Sequence, residues 1–169
     1  TSSTLSFSDS ACIIMNGGTF QSSDASEMTG ANDKNVFKAA VSGHKWGGLR
    51  FNETNVKIYN SKFQDISSPS VNYALSCVNC SLADIRYNIF TSSSDTAGGV
   101  NINYVYSFGS PGYDAYIMYN TFTMSSSHAN AVQVQGYAGL TAGTYVTDNI
   151  FTSNGAAGGI FLSTITGGV

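Results

Sequence analysis

Tyr145-Val146-Thr147-Asp148-Asn149-Ile150-Phe151-Thr152 has a counterpart in Tyr116-Ile117-Met118-Tyr119-Asn120-Thr121-Phe122-Thr123 and another in Asp84-Ile85-Arg86-Tyr87-Asn88-Ile89-Phe90-Thr91. Lys57-Ile58-Tyr59-Asn60-Ser61-Lys62-Phe63-Gln64 is a weaker copy, and the segment from Ile13 to Gln21, with Asn16 and Phe20, is a frayed one. From Phe63 onward the repeated phenylalanines stand 27, 32 and 29 residues apart, but Phe20 and Phe63 are 43 apart, which points to an insertion. A recurrence of about thirty residues marks a solenoid, in which each repeat buries its apolar face only against its neighbours.

Inside each repeat the apolar residues alternate with period two, the pattern of a strand with one face in and one face out. A first strand offers inward pairs: Leu49 and Phe51, Tyr73 and Leu75, Val100 and Ile102, Val132 and Val134, Ile160 and Leu162. A second strand offers Val56 and Ile58, Ala83 and Ile85, Ala115 and Ile117, Thr144 and Val146. Strands at one place in successive coils stack as parallel neighbours about 4.8 Å apart. Equivalent side chains then form columns. Ile58, Ile85, Ile117 and Val146 make an aliphatic one, and Phe63, Phe90, Phe122 and Phe151 an aromatic one. Asn88, Asn120 and Asn149 fall in line just before the aromatic column, with Ser61 as the departure and Asn60 one residue away. Asn tolerates the left-handed backbone of a sharp bend, and stacked amides hydrogen-bond along a column.

These patterns predict an all-β protein: a right-handed single-stranded parallel β-helix of about five coils in one domain spanning residues 1–169. Residues 1–23 form the first rung, residues 24–48 an irregular insertion or cap, and residues 47–169 the regular coils. Handedness follows from the general preference of parallel crossovers. Val36-Phe37-Lys38-Ala39-Ala40-Val41 within the insertion fits either a short helix or a further strand.

The I-x-Y-N-x-F-T repeat resembles the parallel β-helix repeat of pectate-lyase-like proteins. Phe151-Thr152-Ser153-Asn154 followed by Gly158-Gly159-Ile160 is similar to the F-x-x-N and G-G-A-[ILV] motifs of polymorphic outer-membrane and adhesin-type proteins, and Gly98-Gly99-Val100 fits the second motif loosely. The resemblance covers residues 47–165. It implies the fold but not one activity, since the superfamily holds polysaccharide lyases and hydrolases, adhesins and structural surface proteins.

Composition narrows the partners. Charged residues make up 10% of the chain, against about 25% in an average soluble domain, and Ser, Thr, Gly and Asn replace them. That balance favours an extracellular or cell-surface protein. The net charge of −3 lacks the basic stripe that nucleic acid requires. No apolar run reaches the roughly 18 residues of a membrane span. The three cysteines cannot all pair within one chain. Cys77 and Cys80 form a C-x-x-C without a second pair or a histidine at metal spacing, so no metal or cofactor is expected. Cys77 reads as a small buried strand residue, and Cys12 as buried or as a link between chains.

Catalytic constellations are scarce. Inverting glycoside hydrolysis needs two carboxylates roughly 6.5–9.5 Å apart across the bond, and the ten acidic residues are scattered. Ser42-Gly43-His44 is superficially similar to a Ser-Gly-His of polygalacturonases, but Lys45 follows where Gly is expected. Lys57, Asp84 and Arg86 form the densest charge cluster, and Lys57 and Asp84 read as an outward cross-rung ion pair. No catalytic residue is assigned. Aromatics concentrate near one side: Tyr59, Tyr104, Tyr106, Phe108, Tyr113, Tyr116 and Tyr145 form a candidate outer face for a protein or a glycan.

The C-terminal strand around Gly159 to Ser163 is followed by no amphipathic helix or charged strand, so the end is expected to be covered by another copy or to continue into a longer solenoid. The expected function is therefore a non-catalytic structural or surface protein that self-assembles head-to-tail or laterally into filaments, or acts as an adhesin on a cell-surface protein or glycan. The competing expectation is a polysaccharide-binding or polysaccharide-degrading β-helix or a fragment of one.

Overall fold

The computed structural model describes residues 3–23, 34–66, 73–94, 96–104, 113–125, 129–136, 142–153 and 159–163. Among the described residues there is no helix, and 17 strands form three parallel sheets. Sheet B contains β2 (Ile13–Asn16), β5 (Leu49–Asn52), β8 (Tyr73–Val78), β11 (Gly98–Asn103), β14 (Val132–Gln135) and β17 (Ile160–Ser163). Sheet C contains β3 (Thr19–Gln21), β6 (Asn55–Tyr59), β9 (Leu82–Arg86), β12 (Tyr113–Met118) and β15 (Ala142–Thr147). Sheet A contains β1 (Thr4–Phe7), β4 (Asn35–Ala39), β7 (Ser61–Gln64), β10 (Ile89–Ser92), β13 (Thr121–Met124) and β16 (Ile150–Ser153). From β2 the chain visits B, C and A in turn, and each strand pairs in parallel with its equivalent in the next coil. This is a parallel β-helix, with a number of coils close to the expected five.

Alternation explains the core. In β6, Val56 and Ile58 point in and are fully buried, and they pair with Ala83 and Ile85 of β9. Ile117 and Val146 continue the aliphatic column. In sheet B the inward columns are Leu49, Leu75, Val100, Val132 and Phe51, Cys77, Ile102, Val134, all fully buried. Each such aliphatic or aromatic side chain contributes about 1.5–3 kcal/mol by leaving water. The inward pair of β8 is therefore Leu75 and Cys77, not Tyr73 and Leu75. Tyr73 lies opposite Gly98, and its hydroxyl donates to Gln133 Oε1 at 2.5 Å. Gly99 gives the neighbouring ring its place: a Cβ there would lie 2.5 Å from Phe122 Cε1.

The aromatic column runs Phe37, Phe63, Phe90, Phe122, Phe151, with ring centroids 4.9, 5.0, 4.8 and 5.1 Å apart and nearly parallel planes. Phe37 belongs to β4, so Asn35–Ala39 inside the presumed insertion is a regular rung strand rather than a helix. Phe20 is not in this column. It lies on β3 opposite Val56 of sheet C and tilts against Phe51 at 5.0 Å. The 43-residue gap therefore does not separate neighbouring rungs, because Phe37 stands between. Trp46, from the same stretch, is fully buried, stacks on Phe7 at 4.4 Å and donates its indole N–H to Gln64 O at 2.6 Å.

The bend from sheet C to sheet A corrects one expectation. The left-handed residues are Asn60, Tyr87, Tyr119 and Asp148, with φ of 51°, 58°, 57° and 55°. The Asn that follows in the later rungs does not make the bend but turns inward behind it. Asn88 Oδ1 accepts from Ser61 N at 2.9 Å, Asn120 Oδ1 from Asn88 N at 2.9 Å, and Asn149 Oδ1 from Asn120 N at 2.8 Å. The amide nitrogens of Asn88, Asn120 and Asn149 donate to Ile58 O, Ile85 O and Ile117 O of the preceding coil at 2.8, 2.9 and 2.7 Å. Asn35 stands opposite Ser61 and accepts from Ser3 N at 3.1 Å, so the column resumes beyond the serine. Asn60 does not substitute for Ser61; it takes the left-handed position, and its Oδ1 accepts from Lys34 Nζ at 3.0 Å.

Candidate functional site

The densest polar and aromatic arrangement lies on the outward face of sheet C and the adjoining bend. Lys57, Asp84, Tyr116 and Tyr145 occupy one outward row across β6, β9, β12 and β15. Tyr59, Arg86, Met118 and Thr147 occupy the next. Asp84 does not pair with Lys57, its neighbour across the rungs. Its carboxylate is held by Arg86 Nε of its own strand and accepts the Tyr59 hydroxyl at 2.7 Å. Side chains two apart on one strand share a face, so Arg86 reaches Asp84 directly. The Arg86 guanidinium carbon in turn sits 5.2 Å from the Tyr116 ring centroid, a cation–π contact.

Tyr59 and Tyr104 leave the proposed outer face: they are 3% and 1% exposed. Tyr59 points outward by alternation, yet Ser22 and Ser23 clasp its backbone and Asp84 takes its hydroxyl. Burial, followed by the hydrogen bond and charge of Asp84, pushes its phenol pKa well up. Tyr106 and Phe108 lie outside the described residues, and Tyr113 is described only as part of β12. What remains on the surface is Tyr116 with Tyr145. Their rings stack at 5.1 Å with planes 2° apart, and Tyr145 is 46% exposed. At the bend, Tyr87 and Tyr119 form a second stack at 4.9 Å. That pair was not singled out in the sequence. Its signal is the tyrosine immediately before a column Asn, where Asn60 and Asp148 stand in other rungs.

The orientation of these rings limits what they can bind. In a ladder each ring gives a face to its neighbour and turns its edge and hydroxyl to water. Tyr116 has Tyr145 and the Arg86 guanidinium as its neighbours. Tyr116 is flanked on both sides and offers its phenol donor and C–H edges, whereas Tyr145, on the strand that ends sheet C, has one described ring neighbour. Asp84 is occupied by two donors, the Tyr59 hydroxyl and Arg86 Nε. His44, in the Ser42-Gly43-His44 turn, lies 4.0 Å from Asp9 on the exposed surface. Among the described residues no three His, Cys, Asp or Glu side chains converge as a metal site. No described helix is long and apolar enough to cross a membrane. Compared with protein-family models, curated proteins and solved structures, the chain finds no match.

Proposed function

We propose that this chain is a non-catalytic structural β-helix of the extracellular or cell-surface kind that works by contact between copies, stacking end to end into filaments. The reading takes the I-x-Y-N-x-F-T and G-G motifs as kinship with pectate-lyase-like β-helices and adhesin-type repeats. One observation carries it. Of nine large, exposed apolar or aromatic residues among those described, seven (Leu5, Ile14, Tyr145, Ile150, Ile160, Phe161 and Leu162) lie on strands that end the three sheets, β1, β2, β15, β16 and β17, while Val41 and Tyr119 do not. Because every sheet is parallel, a translated copy would continue sheets A and B, while sheet C, with five described strands against six, would be one strand short at the joint. Phe151 would then meet Leu5 of the next copy and Leu162 would meet Met15, apolar against apolar in both columns. Contacts of this head-to-tail kind do not close and give filaments.

Light scattering and electron microscopy of the chain over a concentration series test this. Growing linear particles are expected, with Leu162→Asp shifting the series to single molecules. Wild-type chain that stays monomeric at every concentration would sink the proposal. Release of new reducing or unsaturated sugar ends from a polysaccharide panel would point instead to a carbohydrate-active protein.

A further inference from the structure

Cys77 and Cys80 break two local habits of the solenoid at a single bend. Cys77 lies in the inward column of sheet B that otherwise holds Met15, Phe51, Ile102, Val134 and Leu162, all larger side chains. Cys80 stands where the preceding coil has Thr54, two residues past the paired Asn52 and Val78. Both Thr54 and Cys80 are fully buried. The Thr54 hydroxyl donates to Asn52 O at 2.9 Å. The Cys80 thiol sits 3.9 Å from the equivalent Val78 O and 3.7 Å from Phe51 O, and a thiol is a weak donor. Taken singly, Cys77 fills the core less well than its column neighbours and Cys80 caps the bend less well than threonine. Taken together they fit. Both thiols are free and fully buried at one bend, and Cys80 Sγ lies 3.7 Å from the carbonyl of Phe51, the residue paired with Cys77.

We propose that Cys77 and Cys80 are a disulfide-forming pair, closed by exchange with a low-molecular-weight disulfide and sealed inside the bend. In this step the Cys80 thiolate attacks one sulfur of glutathione disulfide and releases one reduced glutathione. The Cys77 thiolate then displaces the second glutathione and forms the Sγ–Sγ bond. The protein gives up two protons and two electrons, and the disulfide reagent takes them up. The first step can begin at either sulfur of the open chain, and the same bonds form and break when Cys77 attacks first. Full burial means that exchange takes place on the open chain during folding and that the finished bond is sheltered from reductants. The bridge would span the left-handed Asn79, at φ 51°, and fix the bend between β8 and β9.

The test is refolding of the full chain from denaturant in a glutathione redox buffer, followed by alkylation in denaturant and mass analysis. The bridged form should exceed the dithiol by more than about tenfold at a secretory-type poise. It should be lighter by two hydrogens, with Cys12 the only alkylated thiol and Cys77 linked to Cys80 in the peptide map. Three alkylated cysteines in the same buffer, or a bridge through Cys12, would overturn the proposal. Cys80→Ser keeps a hydroxyl like that of Thr54 and is expected to fold with Cys12 and Cys77 both alkylated; a Cys12–Cys77 bond there would show unspecific pairing and count against it. Dithiothreitol added during unfolding should lower the thermal midpoint of the oxidised chain and leave a C77A/C80S chain unmoved; equal response of the two would also refute it.

Discussion

Two bends of the same coil are built on different rules. At the bend from sheet C to sheet A, one residue type does one job in successive rungs: Asn88, Asn120 and Asn149 each reach into the preceding coil and bond its backbone. At the bend from sheet B to sheet C, each rung has its own solution. Gly17 and Gly18 turn with φ of 74° and 78°, Glu53 turns with Thr54 behind it, and Asn79 turns with Cys80 behind it. The Thr54 hydroxyl caps Asn52 O of its own strand at 2.9 Å, with longer contacts to Met15 O and Gly17 O of the preceding coil at 3.3 and 3.4 Å. A bend whose bonds cross between rungs constrains the next rung to use the same side chain. A bend whose shortest hydroxyl cap lies within its own strand leaves the next rung freer to vary.

The largest effect should come from breaking the shared bend. Asn120→Ala leaves Asn88 N–H without its acceptor and Ile85 O without its donor, all buried. A loss of about 3 kcal/mol is expected in urea unfolding, and a loss below the Thr54 value given below would erase the distinction between the bends. Tyr59→Phe, beside that bend, removes the hydroxyl held by Asp84 and should cost about 1–2 kcal/mol at neutral pH. Its pH dependence has a definite sign. The folded state keeps the phenol proton above the ordinary tyrosine range of about 10, while the unfolded chain sheds it there. Wild-type stability should therefore hold below that pH and fall as pH rises above it, and the phenylalanine variant should fall less steeply over the same range.

Thr54→Ala at the B-to-C bend removes a cap whose shortest bond lies in its own coil, and about 1 kcal/mol is expected from the same unfolding series. Tyr119→Asn should have the smallest effect, between no change and a gain of about 0.5 kcal/mol. It relieves a tyrosine from φ 57° but gives up the stack on Tyr87. A clear loss of thermal stability would assign Tyr119 a structural role that its exposed position does not suggest.

The same contrast explains what was legible in the sequence. The Asn and Phe columns announced the coil because their bonds and stacks force repetition. The B-to-C bend repeats asparagine only at Asn16, Asn52 and Asn103, interrupted by Val78, and its left-handed residue changes from rung to rung. Asn35-Val36-Phe37 carries the same N-x-F as Asn88-Ile89-Phe90, but no I-x-Y precedes it, and Asn16 with Phe20 offered a decoy. Tyr73, Leu75 and Cys77 share one parity along β8, so a slip of two residues keeps every side chain on its face and only the pairing to β11 exposes it. The candidate site was half legible. Alternation placed Tyr116 and Tyr145 outward, but it could not show that Ser22, Ser23 and Asp84 enclose Tyr59, because those contacts join separated segments.

The asparagine column also has an arrow. Each amide bonds the backbone of the coil made before it, and reaches the coil made after it only through the next Asn side chain. A chain emerging from the ribosome N-terminus first therefore completes each of these bends one coil late: the backbone N–H at Asn88 and the carbonyl of Ile85 wait until Asn120 has been synthesised. Shaping of the solenoid should trail translation by about the length of one repeat, with the newest coil always the unfinished one.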